Sequence, residues 1–281
     1  MELGRRTFLG GLVAAAAAGA NIHPASARSG AAAGPANTAM RNFMLMRGAL
    51  DERLVVSWVS ARYYAVIEDR MDPLFSVVSA VFARHRRMAD GGVMAVNAEL
   101  AWFTDPASGQ ALETYRNPLN GKVVKVPGGG FSPSRVIFGP DLSFRLEKPV
   151  PGLEMAHEVL PAEVQGGDVW LTERTRTAFT APGAARPFRY SESNTFRASA
   201  RALADPHATR VVSDVSFANV CSWRPWLEMG DQLGHLTAVG HGRHGAAMAD
   251  LPPAWIAATK ARRPDVWHEP EALLAPLWDR P

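Results

Sequence analysis

Tyrosine, arginine, carboxylate and histidine side chains, alternating with aromatics on stretches that read as strands, are the residues here that could do chemistry. On Phe188–Ala198 one face carries Phe188, Tyr190, Glu192, Asn194 and Phe196. On Val169–Phe179 the side with Leu171, Glu173, Thr175 and Thr177 opposes the side with Trp170, Thr172, Arg174 and Arg176, because successive strand residues point to opposite faces. Leu74, Ser76, Val78, Ala80, Phe82, Arg84 and Arg86 share a third face, and Trp58, Arg62 and Tyr64 a fourth. Two readings stay open. Ionisable groups that point into a barrel must be paired, and an Arg–Glu pair beside tyrosines then makes an amphipathic cavity for a flat organic molecule. Alternatively the charges face solvent and the aromatics are core. On the first reading Tyr64, Arg116, Glu173, Tyr190 and His241 are candidate catalytic residues, and Arg84 and Trp226 are candidate ligand contacts. A tyrosine or histidine would remove a proton, an arginine would stabilise the developing oxyanion, and a carboxylate would orient the base.

Other motifs point less far. Gly240-His241-Gly242-Arg243-His244-Gly245 matches the G-x-G-x-x-G dinucleotide fingerprint. Too little chain follows to complete a nucleotide-binding domain, so a turn or glycine-rich crossing is expected there. His235, His241 and His244 could gather three imidazoles for zinc, copper or iron, or belong to a polar loop. No G-x-S-x-G elbow, H-E-x-x-H run or phosphate-binding loop ending in Gly-Lys-Ser/Thr occurs, which removes the commonest hydrolase, zinc-protease and nucleotidase readings. Cys221 is the single cysteine, so neither an intramolecular disulfide nor a thiolate metal cluster can form. Trp223-Arg224-Pro225-Trp226 reads as a lid over a cavity or a plug closing a barrel end.

The elements that must position these residues are mostly strands. Runs at 53–67, 74–86 and 93–103 are broken by Asp90-Gly91-Gly92 and by Asp105-Pro106-Ala107-Ser108-Gly109. Asn117-Pro118-Leu119-Asn120-Gly121 between 113–116 and 122–126 predicts a hairpin. Further strands are expected at 135–138, 142–146, 169–179, 188–198 and 210–220. Many strands with few 3.6-period segments predict a mainly β fold, an antiparallel barrel-like domain whose closure removes exposed edges. Short helices are expected near the C-terminus, one opening at Pro252-Pro253 and one over 269–278.

At the N-terminus, Arg5-Arg6-Thr7-Phe8-Leu9, the apolar run 12–20 and Ala25-Ser26-Ala27 read as a twin-arginine export signal cleaved after Ala27. That implies the export machinery as a partner, a periplasmic destination and no membrane span after cleavage. Residues 28–40 read as a flexible lead-in and 41–281 as a single domain. Of 281 residues, 47% are hydrophobic and 20% charged, which suffices for a sizeable core; the formal charge of +3 leaves no nucleic-acid footprint.

Met46-Arg47-Gly48, Tyr63-Tyr64, Pro73-Leu74-Phe75, Tyr115-Arg116-Asn117-Pro118, Trp226-Leu227-Glu228-Met229-Gly230-Asp231 and Gly240-His241-Gly242-Arg243 resemble the bacterial family catalogued as domain of unknown function 1838. The resemblance covers nearly all of the mature chain and implies no reaction. The functional expectation therefore rests on the residues: a cofactor-independent lyase or isomerase acting on a small aromatic or apolar molecule in a barrel cavity. A non-catalytic periplasmic ligand-binding protein is the alternative, and a histidine-ligated metal or redox protein the third reading.

Overall fold

The computed structural model describes residues 36–279 apart from 131, 149 and 185. The expected export signal lies outside these residues. The chain runs through α1 (Ala36–Arg47), β1 (Val55–Ile67), β2 (Arg70–Arg87), β3 (Val93–Thr104), β4 (Thr114–Arg116), β5 (Val123–Lys125), β6 (Ser134–Phe138), β7 (Phe144–Leu146), β8 (Leu153–Val159) and β9 (Glu163–Gln165). It continues through β10 (Asp168–Phe179), β11 (Phe188–Ser199), α2 (Ala200–Ala204), β12 (Ser213–Cys221), β13 (His235–Ala246), α3 (Pro253–Arg262), α4 (Pro264–His268) and α5 (Ala275–Trp278).

One antiparallel sheet runs β7-β6-β3-β2-β1-β13-β12-β11-β10-β8, with β9 beside β10, and curls into a nearly closed barrel. Side chains rather than a ladder bring its ends together. His157 of β8 lies 4.7 Å from the Phe144 ring and 5.8 Å from the Phe138 ring, centroid to centroid. The mainly antiparallel, barrel-like fold is the one expected, and β4–β5 is the expected hairpin, closed by the Asn117 N–H on the Lys122 carbonyl with Gly121 at φ 72°.

β8 and β9 form where no strand was expected, and two further segments differ from expectation. Residues 36–40, read as lead-in, begin α1, whose Phe43, Met44, Leu45 and Met46 are buried in one end of the barrel. The polar and alanine-rich start of this helix hid the apolar cluster that anchors it. The second is β13, read as a turn or loop. It is the strand that joins the two halves of the sheet, pairing with β1 on one side and β12 on the other. Its glycines serve close approach: a Cβ at Gly242 would stand 1.9 Å from the Trp58 carbonyl oxygen, and one at Gly240 2.2 Å from that of Ser60.

Each long strand is layered inside. Along β3 the inward residues run Val93, Ala95, then Asn97, Glu99, then Ala101, Phe103. On β10 they run Val169, Leu171, then Glu173, Thr175, then Thr177, Phe179. On β11 they run Ala198, Phe196, then Asn194, Glu192, then Tyr190, Phe188. The first layer packs on α1, and the last packs beneath an aromatic plug of Tyr63, Phe75, Phe103, Tyr115 and Trp226. A polar belt is left between two apolar caps. Outside, α3 to α5 cover the outer faces of β1, β2 and β3, with Trp255 fully buried and donating its indole N–H to the Leu100 carbonyl at 2.7 Å.

Candidate functional site

The polar belt surrounds a cavity of about 120 Å³, lined by residues of β1, β2, β3, β6, β7, β8, β10, β11, β12 and β13 and by Arg47. That is close to the roughly 150 Å³ void that accommodates benzene in an apolar core. Three carboxylates face it: Glu99 from β3, Glu173 from β10 and Glu192 from β11. All three are buried, and their surroundings set them apart.

Glu173 is held as an anion. Arg47, the last residue of α1, places its Nε 3.0 Å from Oε2, and His157 Nε2 stands 2.8 Å from Oε1. Burial alone would push this carboxyl up, but the guanidinium and the histidine outweigh it and hold the group at about 2.

Glu99 and Glu192 go the other way. Burial lifts Glu99 to about 7, against a hydrogen bond donated by the Ser79 hydroxyl to Oε1 and the more distant charge of Arg224. Its Oε2 is buried without a partner among the described residues. Burial lifts Glu192 to about 8, against the Tyr190 hydroxyl that donates to Oε2 at 2.7 Å, and the negative charges of Glu99 and Glu173 push the same way. The Asn194 side-chain amide donates to its Oε1 at 3.3 Å.

Two histidines complete the belt. His244 Nδ1 meets the Ser57 hydroxyl at 2.5 Å, with Nε2 unpartnered among the described residues, and His85 lies buried nearby. Burial, reinforced by the Arg47 charge, lowers both, His85 to about 3, so both rings are neutral at ordinary pH. Behind the belt runs a second chain of contacts. The Arg224 guanidinium, 1% exposed, donates to the Tyr63 hydroxyl at 2.6 Å and lies 5.1 Å from the centroids of the Tyr63 and Phe103 rings. The Asn219 amide bridges the Tyr63 and Tyr190 hydroxyls at 2.9 and 3.2 Å.

Of the residues singled out from sequence, Glu173 lines this cavity, and Tyr190 is buried beside it as the donor to Glu192. The others lie elsewhere. Tyr64 is on the outer face of β1, one residue from the fully buried Tyr63, so the tyrosine expected in the cavity is the one of the pair that faces away from it. Arg116 is exposed on the β4–β5 hairpin, its guanidinium on the Gly121 carbonyl at 3.4 Å. His241 is exposed on β13, where alternation sends His244 inward and His235, His241 and Arg243 outward. The three histidines therefore do not converge, and among the described residues no three His, Cys, Asp or Glu side chains are grouped to hold a metal. Arg84 also lies outside the barrel, donating to the Glu52 carbonyl with its guanidinium 4.3 Å over the Trp278 ring. Trp226 belongs to the plug and is no part of the cavity wall.

Sequence reasoning missed Glu99 and Arg47 as site residues, and met Glu192 only on a strand face, Arg224 only within the lid-or-plug motif and His244 only as a metal ligand. Glu99 had a legible signal, a single acid in a run from Val93 to Phe103 that is apolar apart from Asn97. The profile of a family described as protein of unknown function, DUF1838, matches residues 51–275. The chain belongs to the DUF1838 family. The DUF1838 match spans every strand of the barrel and all three cavity carboxylates, and begins just after Arg47. No curated protein matches the chain.

Proposed function

We propose that this DUF1838 protein is a cofactor-independent lyase or isomerase, moving a proton within a small aromatic or apolar molecule held in the barrel cavity. One observation carries the reading: two buried carboxyl groups poised near neutrality, Glu99 at about 7 and Glu192 at about 8, face the same cavity as an ionised third, Glu173. General acid–base catalysis is most effective when the group's pKa lies near the working pH. Glu99, through its unpartnered Oε2, takes a proton from a carbon beside a carbonyl or phenol. Glu192, protonated and fixed by Tyr190, gives its proton to the substrate oxygen as charge develops there. Return of the proton from Glu99 to a different carbon, with the oxygen's proton passing back to Glu192, completes an isomerisation and leaves the protein unchanged. Burial holds Glu192 protonated, and the negative charges of Glu99 and of Glu173, which Arg47 and His157 keep ionised, add to it.

The test is exchange of substrate C–H for deuterium in heavy water, followed by NMR over a panel of small phenols, enones and cyclic ketones. A catalyst of this kind labels its substrate even where no net product accumulates. Glu99→Gln should slow labelling by about 100-fold or more. Tight binding without labelling of any bound compound would instead favour the carrier reading, in which the unpartnered polar atoms of the cavity simply recognise a ligand. We place either activity in the periplasm, reached by the twin-arginine route on the strength of Arg5-Arg6 and Ala25-Ser26-Ala27.

A further inference from the structure

The barrel has a second hollow that this chemistry does not use. An open groove of about 1000 Å³ lies at the plugged end, between the loop after β10 and the loop joining β12 to β13. It runs along the outer faces of β10, β11 and β12, where Arg176, Arg189, Ser191 and Val220 point away from the barrel interior. Gly234, at φ +112°, lets the upper loop fold this closely, since a Cβ there would stand 2.6 Å from the Val66 carbonyl oxygen.

The groove is both apolar and cationic. Trp223 and Leu233 line it, and Leu233 is 85% exposed. Arg176 stands opposite Ser191 and Arg189 opposite Ala178, which makes the two arginines diagonal neighbours on adjacent strands, about 7–8 Å apart. Arg174, next along the same face, is matched by Glu158 at 3.3 Å. Arg176, Arg186 and Arg189 have no carboxylate partner among the described residues, and three guanidiniums stand against the two acids of the groove, Glu154 and Asp231.

We propose that the groove is a binding site for an amphipathic organic anion, with a carboxylate or phosphate head between Arg176 and Arg189 and an apolar tail along Trp223 and Leu233. Guanidinium forks match planar oxyanions, and a large exposed leucine beside unpaired cations fits a tail attached to such a head. The site is independent of what the cavity does.

Calorimetric titration of the mature protein with octanoate, octyl phosphate and octanol tests it. Octanoate or octyl phosphate should bind one to one, the tighter of them naming the head group, with octanol at least tenfold weaker. Arg176→Gln, Arg189→Gln and Leu233→Asp should each weaken the anion about tenfold or more, while Glu99→Gln leaves it unchanged. All three substituted side chains are exposed, so the fold tolerates their loss. No one-to-one binding of either anion at millimolar concentration, octanol binding as tightly as octanoate, or indifference to both arginine substitutions would overturn the site. Failure of Glu99→Gln to affect deuterium labelling would bear on the cavity alone.

Discussion

Glu99 lies between Ala98 and Leu100 in a strand buried on both faces, and the cost of an anion there is what lifts its carboxyl to about 7. The pH dependence of stability follows from such groups. Glu99 and Glu192 titrate higher in the fold than in the unfolded chain, so the folded state binds more protons and stability falls as pH rises toward 7 and 8. His85 and His244 titrate lower in the fold, so they cost stability as pH falls below about 6.5. Between about 4.5 and 6.5 these two effects oppose each other and stability is level. Below about 4.5 the unfolded chain also protonates Glu173, which the fold holds at about 2, and stability drops. Thermal melts across pH should therefore show a plateau with two falling limbs, and Glu192→Gln should flatten the alkaline limb; an unchanged alkaline limb would remove Glu192 as its source. Arg47→Ala strands a buried carboxylate and should cost on the order of 3–5 kcal/mol in urea unfolding, whereas Glu173→Gln, which removes the charge itself, should cost less.

At the scale of elements, β1 and β13 approach each other as closely as glycine allows. Gly242→Ala drives a methyl into the Trp58 carbonyl and should destabilise by about 3 kcal/mol, while Gly128→Ala, with nothing within 4 Å, should be neutral. Equal unfolding midpoints for the two variants would contradict the close approach. These glycines also explain what the sequence concealed. Gly240 and Gly242 look like turn residues because local propensity carries no information about a neighbouring backbone, so β13 was legible only once its partners were known. By contrast, the alternation on β10 and β11 was readable from single residues, and with it the inward direction of Glu173 and Tyr190. Placing Tyr64 inward failed by one residue, because the 63–64 pair gives no sign of which tyrosine faces the core, and a shift of one position exchanges the faces of a strand. Arg47 was hidden for another reason: it enters the barrel from a helix that plugs it, and no pattern in β1 announces that plug. Phe43→Ala, removing a fully buried ring from the plug, should cost about 3–5 kcal/mol by urea unfolding.

For the whole molecule, two apolar caps, one from α1 and one from the aromatic plug, isolate a belt of charge whose members are set apart by burial and pairing. Three carboxyl groups face one hollow there, and the proposed chemistry stands or falls with their protonation. Export belongs to this scale as well: Arg5→Lys with Arg6→Lys should leave the precursor uncleaved in the cytoplasm, seen by fractionation, and normal processing of that variant would remove the twin-arginine reading. The most direct measurement is a carbon-13 NMR titration of the mature protein labelled at glutamate carboxyl carbons, with Glu99→Gln, Glu192→Gln and Glu173→Gln assigning the resonances. The account predicts one carboxyl titrating at about 7, a second at about 8 and a third still ionised down to about 2. Titration of Glu99 and Glu192 together at the ordinary glutamate value near 4.3 would contradict it.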